Sequence, residues 1–155
     1  PVAREAVDLV DLVENVVAAH SLPARAKLMH TELTLQARRC LAEPALLISV
    51  MDNLYSNAVH YGAESGNIRI HSYRHGEQVR IDVANSGEPI PAAEKNMIFE
   101  PFYQGSHQRK GAVKGSGLGL SIARDCVRQM QGELSLVDAP AGQVCFRITL
   151  PSAPE

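Results

Sequence analysis

The sequence is poor in aromatic residues and in cysteine. It has no tryptophan, three phenylalanines and three cysteines among 155 residues. The number of cysteines is odd, and the spacing of Cys40, Cys126 and Cys145 is not the close spacing of metal ligands. Because they lie among apolar residues, we expect reduced thiols, as in a cytosolic compartment, rather than a disulfide framework.

An excess of charge of one sign is also absent. The formal net charge is −2, so no overall field favours nucleic acid or an anionic membrane as a partner. No apolar run approaches the length of a membrane span, and the opening residues do not predict a signal peptide. Hydrophobic residues make up 45% and charged residues 21%, which is typical of a globular domain.

The order of periodic segments predicts a domain that mixes helices and strands. Apolar residues at helical spacing predict helices over 9–20, from Pro44 onwards, and from about Leu118 to Gly132. Alternating residues predict strands near 28–35, over 66–85 with a turn at His75-Gly76, and around a turn at 139–142. We therefore expect an α+β fold, a two-layer sandwich with helices on one face of a mainly antiparallel sheet.

Glycines cluster in front of the last helix, in "KGSGLGLSIARDC" (114–126). Gly115, Gly117 and Gly119 let the main chain fold tightly around a ligand, and the helix that follows directs its positive end to the same point. Lys114 adds a cation, so the stretch indicates an anion site, most simply for a polyphosphate. The spacing does not match a Walker loop, and a flexible loop with a helix cap remains an alternative.

Two asparagines lie four residues apart in "DNLYSNAVHYG" (52–62). Asn53 and Asn57 project from one face of the predicted helix, although asparagine is a poor helix former. Amide oxygens can bind Mg²⁺. His60 could reach a phosphate and Tyr61 could support a nucleotide; alternatively, Asn57 bonds locally and His60 is only solvated.

Two further stretches lie between the asparagine pair and the glycine cluster. In "VANSGEPIP" (83–91) a strand is predicted to end at Ala84, and a polar turn with Gly87 follows. In "IFEPFYQG" (98–105) aromatic residues are concentrated, and packing of a long connection is an interpretation that suits Phe99 well.

Together and in this order, the four pieces resemble the N, G1, F and G2 boxes of the histidine-kinase catalytic domain. On these motifs the chain is identified as a member of the wider family of kinases, gyrases, Hsp90-type and MutL-type ATPases, over about residues 8–150. The resemblance implies one catalytic domain over 1–155, with a mixed sheet, Mg²⁺ and ATP as cofactors, and nucleotide held under a mobile lid at about 104–114.

The resemblance also implies roles for individual residues. Asn57 matches the Mg²⁺ ligand, and Asn53 matches the first N-box position, where the ATPases carry a glutamate that activates water. Both are the candidate catalytic residues. The remaining candidates for nucleotide binding are His60, Tyr61, Asn85, Gly87, Ile90, Tyr103, the lid cations Arg109, Lys110 and Lys114, and the G2 residues Gly115, Ser116, Gly117, Leu118, Gly119 and Leu120.

The G1 turn departs from the family pattern. Asn85 stands where the family has the aspartate that accepts a hydrogen bond from adenine, and Pro89 replaces the second glycine. A neutral acceptor bonds more weakly than a charged one, so adenine binding should weaken by about 1 kcal/mol. Pro89 fixes its φ and should stiffen the turn.

The implied reaction is transfer of the γ-phosphoryl group of Mg-ATP to a histidine, for relay to a response regulator. None of the six histidines is followed by the acidic residue that marks the acceptor. The acceptor in a dimerisation domain, and a sensor in the inner membrane, are therefore expected upstream. This cytoplasmic portion would be monomeric by itself, within a homodimeric membrane protein.

Two other functions stay open from the sequence. An ATPase that couples hydrolysis to conformational change is disfavoured because Asn53 is not a glutamate. A degenerate module that only binds nucleotide or partners is kept open by the altered G1 turn, although Asn57 and "GSGLGL" argue against it.

Overall fold

The computed structural model describes residues 2–101, 103 and 119–154. Over these residues the chain forms four α-helices and seven strands. The helices are α1 (Leu9–Ala19), α2 (Ser21–Ala26), α3 (Pro44–Tyr61) and α4 (Gly119–Gln129). The strands are β1 (Glu5–Asp8), β2 (His30–Leu35), β3 (Arg39–Ala42), β4 (Asn67–His75), β5 (Gln78–Ser86), β6 (Glu133–Val137) and β7 (Gln143–Pro151).

Five of the strands form one sheet in the order β2-β4-β5-β7-β6, and β1 pairs with β3 in a separate antiparallel ribbon. The pair β2–β4 is parallel, because β3 and α3 lie between the two strands in the chain. The other three pairs in the sheet are antiparallel. The predicted α+β fold with a mixed, mainly antiparallel sheet is confirmed.

The two faces of the sheet differ in polarity. Along β5, Val79, Ile81 and Val83 are buried on the face that carries the core, as alternation along a strand requires. On the other face Arg147 donates two hydrogen bonds to Asp82, at 2.9 and 3.1 Å. The helices therefore cover one face, and a charged network occupies the other.

Helix α3 is the central helix of the core. Pro44 occupies its first turn, where a missing N–H costs nothing, and the Glu43 carboxylate accepts a hydrogen bond from the Leu46 amide at 2.7 Å. Although α3 has 18 residues, no helix in the described part of the chain is long and apolar enough to cross a membrane. Its buried stripe comprises Leu47, Val50, Met51, Leu54, Tyr55, Ala58 and Val59.

Three short elements were not expected from the sequence. The strands β1 and β3 have four residues each, too few for alternation to stand out, and α2 has six residues with only Ala24 buried. In addition, β5 continues to Ser86, so the expectation that this strand ends at Ala84 was wrong. Asn85 consequently lies within the ladder, opposite Ile68 and Val144.

The end of α4 also differs in detail from expectation. The left-handed residue after the helix is Gln131, with φ 67°, rather than Gly132. Gly132 is required for space, since a Cβ there would lie 2.2 Å from the Thr149 carbonyl oxygen. The glycine thus allows α4 to turn closely onto β7.

All three cysteines are free thiols and buried. Burial raises the pKa of the Cys40 thiol to about 12 and that of Cys145 to about 11. The thiolate is the reactive form of cysteine. These residues therefore serve packing rather than chemistry.

The C-terminal end of α3 is held by Lys27, the residue that follows α2. The half-buried Lys27 ammonium donates to the carbonyl oxygens of Val59, His60 and Gly62, at 2.9, 2.9 and 2.6 Å. These carbonyls belong to the last turn of the helix, where the backbone lacks helical partners and carries partial negative charge. One cation therefore satisfies three acceptors and fixes the position of the helix end.

We predict that Lys27→Met lowers the free energy of unfolding by about 2–3 kcal/mol, because charged hydrogen bonds contribute about 1.5–3 kcal/mol each and do not add fully. Methionine keeps the apolar stem, so the loss would report the ammonium group. Urea denaturation measures it. Lys95→Met is the control, since Lys95 makes an exposed pair with Asp138 at 3.4 Å, for which we expect less than about 1 kcal/mol. Equal losses in the two variants would contradict the capping role.

The next residue, Leu28, has an unfavourable backbone. Its φ is 56°, and its side chain is 74% exposed, so little burial compensates for the strain. An L-residue in the left-handed conformation costs about 1–2 kcal/mol, and glycine at this position would relieve that strain. Glycine also loses more chain entropy on folding, which offsets about 0.5–1 kcal/mol of the gain. Leu28→Gly should therefore raise the free energy of unfolding by about 0.5 kcal/mol in the same denaturation assay. Leu28→Ala keeps a Cβ and should give no gain; if alanine stabilises as much as glycine, strain is not the cause.

Candidate functional site

A cleft of about 100 Å³ opens between α3, the ends of β5 and β7 that lie beside it, and the segment that follows β5. On this measure a single water needs about 10–15 Å³, so the cleft can take a small ring system. Most of the lining is apolar. The lining residues are Leu54, Asn57, Ala58, Tyr61, Val83, Asn85, Glu88, Ile90, Ile98, Leu120, Val144 and Phe146.

Five of the residues singled out from the sequence line this cleft together. Asn57 and Tyr61 come from consecutive turns of α3, Asn85 from β5, Ile90 from the following segment and Leu120 from the first turn of α4. They are as many as 63 positions apart in the sequence. The fold therefore brings the N, G1 and G2 motifs to one place.

Asn53 lies one turn before Asn57 and has an unusual environment. Its Oδ1 atom is buried and has no hydrogen-bond partner among the residues that the structure describes. Its amide group lies against Gly119, where a Cβ would approach Nδ2 to 2.4 Å. Gly119 therefore permits the start of α4 to meet this amide. A buried acceptor without a partner costs about 1–3 kcal/mol, which indicates that a ligand, ion or water completes it.

Asn85 is held in a defined orientation on β5. It is only 8% exposed, and its Nδ2 donates a hydrogen bond to the Ser86 carbonyl at 3.1 Å. Because the amide nitrogen is committed, Oδ1 is the atom left to accept a hydrogen bond from a ligand. Gly87 supports this arrangement, since a Cβ there would lie 3.2 Å from Asn85 Nδ2 and from the Tyr61 carbonyl.

The charge of the cleft is low. Among the described residues that line it, Glu88 is the one with a charged side chain, and it lies exposed at the mouth. An apolar cleft with one amide acceptor and one carboxylate suits an uncharged, flat group that carries N–H donors. It does not suit a phosphate, which would need cations or backbone donors from outside this lining.

His60, Gly87 and Tyr103 are predicted site residues that do not line the cleft. The His60 ring packs edge-on against Tyr61, with centroids 4.5 Å apart, and burial raises the pKa of the Tyr61 hydroxyl. Tyr103 is half-buried, and its hydroxyl donates to the Glu94 carboxylate. The other predicted site residues, namely Arg109, Lys110, Lys114, Gly115, Ser116, Gly117 and Leu118, lie outside the described residues together with the predicted lid at 104–114.

Sequence reasoning missed most of the apolar wall. An apolar residue that lines a cleft shows the same alternation as one in the core, so no signal distinguishes them. Phe99 is buried against Phe146, with centroids 6.1 Å apart, and the Arg124 guanidinium lies 4.7 Å from its ring, so the packing interpretation of Phe99 is confirmed. The residues missed were Leu54, Ala58, Val83, Glu88, Ile98, Val144 and Phe146.

A metal site made of protein ligands alone is not present in the part of the chain that the structure describes, where no three His, Cys, Asp or Glu side chains come together. Mg²⁺ usually keeps waters and binds substrate phosphates, and it takes few protein ligands. The partnerless oxygen of Asn53 and the neighbouring amide of Asn57 fit such a shared site. The donors present therefore suit Mg²⁺ bound together with a phosphate ligand.

Comparison with known proteins gives matches over most of the chain. Residues 42–154 match the model of the family described as histidine kinase-, DNA gyrase B- and HSP90-like ATPase. Sensor histidine kinase GlrK of Escherichia coli (strain K12) is 71% identical over 152 residues, which are 98% of this chain and 32% of that protein. Sensor histidine kinase QseE of Escherichia coli O157:H7 is 72% identical over 147 residues, or 95% of this chain and 31% of that protein. The chain thus spans about a third of the length of these relatives.

Solved structures show the same fold. The nucleotide-free catalytic domain of histidine kinase ThkA superposes with a TM-score of 0.83 at 29% identity, covering 99% of this chain and 100% of that one. ThkA in complex with response regulator protein TrrA superposes with a TM-score of 0.79 at 27% identity, covering 97% of this chain and 42% of that one.

The resemblance inferred from the four motifs is therefore confirmed. The family match covers the N box, the G1 turn and the G2 region, and the described parts of these motifs meet at one cleft. The chain belongs to the family of histidine kinase-, DNA gyrase B- and HSP90-like ATPases.

Proposed function

We propose that this domain binds Mg-ATP and donates its γ-phosphoryl group to a histidine in a dimerisation domain elsewhere in the same protein. The observation that carries the proposal is the pairing of a base-sized apolar cleft with the partnerless, buried Asn53 oxygen beside it. The cleft would bind the adenine ring, and the asparagine oxygens would bind the metal that accompanies the phosphates.

Adenine would be recognised chiefly by Asn85. Its Oδ1 can accept a hydrogen bond from the exocyclic amino group, because Nδ2 is already bonded to Ser86. Ile90 and Leu120 supply apolar contact for the ring, and Tyr61 closes the side formed by α3. Asn85 stands in place of the family aspartate and forms a weaker hydrogen bond. The fixed orientation of its amide partly offsets this weaker bond.

The phosphates would lie toward α4 and the asparagines of α3. Asn57, with Asn53, would hold Mg²⁺, which when bound neutralises phosphate charge and orients the transferred group. Neither amide can act as a general base. The carboxylate next to the accepting histidine in the dimerisation domain would take its proton, and this domain contributes positioning and charge stabilisation.

The remaining parts of the pathway belong to the whole protein. We propose a homodimer in the inner membrane, with this domain on the cytoplasmic side and a response regulator as the final phosphate acceptor. The support is that the chain matches about a third of two sensor histidine kinases, and that ThkA, which shares the fold, forms a complex with a response regulator.

We predict that Asn57→Ala weakens Mg²⁺-dependent binding of a non-hydrolysable ATP analogue by at least about tenfold, or about 1.4 kcal/mol. The reason is the loss of a metal ligand from a site with few protein ligands. Isothermal titration calorimetry with and without Mg²⁺ measures the effect. Asn15→Ala is the matched control, since Asn15 is an exposed asparagine on α1. Unchanged affinity in Asn57→Ala with Mg²⁺ present would refute the metal role.

A second prediction concerns the base. Asn85→Asp should bind the ATP analogue about fivefold more tightly, because a charged acceptor replaces a neutral one and adds about 1 kcal/mol. The same change removes the donor to Ser86 and places a carboxylate near its carbonyl, so the free energy of unfolding should fall by about 1–3 kcal/mol.

Calorimetry and urea denaturation separate these two effects. Asn67→Asp is the control, because Asn67 is exposed at the start of the neighbouring strand β4 and gains the same charge outside the cleft. A loss of affinity in Asn85→Asp, with the fold intact, would show that adenine does not bond to this side chain.

A further inference from the structure

Two polar side chains of the nucleotide cleft come from the turn at the end of β5. Asn85, which is buried, belongs to the last part of the strand, and Glu88, which is exposed at the mouth, lies two residues beyond it. Glu88 forms no ion pair within the part of the chain that the structure describes. Pro89 follows, and a residue before proline is confined to extended conformations, so Glu88 has little backbone freedom. Its carboxylate is therefore unused by the fold and held beside the cleft.

Hydrogen bonds fix the backbone between these two side chains. The Ser86 carbonyl accepts from the Ala63 amide at 2.9 Å and from Asn85 Nδ2 at 3.1 Å. The Gly87 amide donates to the Gly142 carbonyl at 2.9 Å. The spacing of the amide and the carboxylate is thus set before a ligand arrives, which lowers the entropic cost of binding a rigid ring.

Asn85 can donate to a ligand as well as accept from it. An amide group has one oxygen acceptor and two N–H donors. The bond to the Ser86 carbonyl uses one donor, so Oδ1 and the second N–H remain. Residue 87 is a glycine, and a Cβ there would lie 3.2 Å from Asn85 Nδ2, so the glycine leaves one side of this nitrogen uncovered. The amide therefore suits a base that carries either an amino group or a carbonyl oxygen.

Adenine and guanine differ at the edge that such a pair of side chains would contact. Adenine carries an amino group at C6, where guanine carries an oxygen. The neighbouring N1 atom is an acceptor in adenine, whereas in guanine it carries a hydrogen and is followed by the 2-amino group. A carboxylate can only accept hydrogen bonds. Glu88 therefore complements the N1–H and 2-amino donors of guanine, for which adenine has no equivalent.

We propose that the cleft accepts guanine as well as adenine, so that the domain binds GTP in addition to ATP. This inference rests on the proposed function, because it assigns a second base to the same cleft. Asn85 serves both bases: its Oδ1 accepts from the 6-amino group of adenine, and its second N–H donates to O6 of guanine. Glu88 adds a contact that guanine alone makes. The extra amino group of guanine lies toward the open mouth, where there is room for it.

Isothermal titration calorimetry of the 155-residue chain with Mg²⁺ and non-hydrolysable analogues of ATP, GTP and CTP tests this inference. We expect the GTP analogue to bind within about tenfold of the ATP analogue, and the CTP analogue, with its smaller ring, to bind at least about tenfold more weakly than both.

A GTP analogue that binds more than about tenfold more weakly than the ATP analogue would overturn the inference and leave the proposed function intact. A CTP analogue that binds as tightly as the GTP analogue would also overturn it, because the triphosphate and not the base would then be recognised. If none of the three binds, the proposed function fails together with the inference.

Two variants test the assigned residues through the ratio of GTP-analogue to ATP-analogue affinity. E88Q keeps the shape of the side chain and removes its charge, so the ratio should fall by about fivefold. N85D replaces the amide donor by a charged acceptor that repels O6, so the ratio should fall by at least about tenfold. E77Q is the control, because Glu77 is exposed in the turn between β4 and β5, and it should leave the ratio unchanged. Since Glu88 is exposed, E88Q should fold normally, and an unchanged ratio in this variant would refute the assignment.

Discussion

Helix α3 has to serve two surfaces at once, and the position of its last turn determines both. One side of the helix carries the apolar stripe that packs on the sheet, and an adjacent edge carries Asn57 and Tyr61 into the cleft. A helix end that moved by even one ångström would carry these side chains out of register with Asn85 on β5. The three hydrogen bonds from Lys27 oppose that movement, because they join the last turn of α3 to a neighbouring helix.

The cost of function is visible at two points where the middle of α3 meets the start of α4. The buried Asn53 oxygen has no partner in the described part of the chain, although folding alone would favour an apolar residue or a bonded one there. Gly119 begins α4 with a residue that disfavours helices, because any larger residue would strike the Asn53 amide. Both features make sense if the junction between α3 and α4 is shaped for a ligand that carries its own charge. Local choices that weaken the fold are expected at functional sites of this kind.

Strong periodicity explains which parts of the fold could be predicted. Helices α1 and α3 have long apolar stripes, and the β4–β5 hairpin alternates over nine residues in each strand, so each gave a clear signal. The ribbon of β1 and β3 gave none, since four residues contain only two inward positions. Leu28 illustrates another limit, because a left-handed turn is normally indicated by glycine or asparagine, and leucine gives no such indication.

The site was predictable to the extent that its residues are chemically unusual for their setting. Two asparagines in a helix and three alternate glycines before another helix require an explanation, and that explanation led to Mg²⁺ and phosphate. The apolar wall was not predictable. Val83 and Phe146 look like core residues in the sequence, and only the placement of α3 against the sheet shows that they border open space.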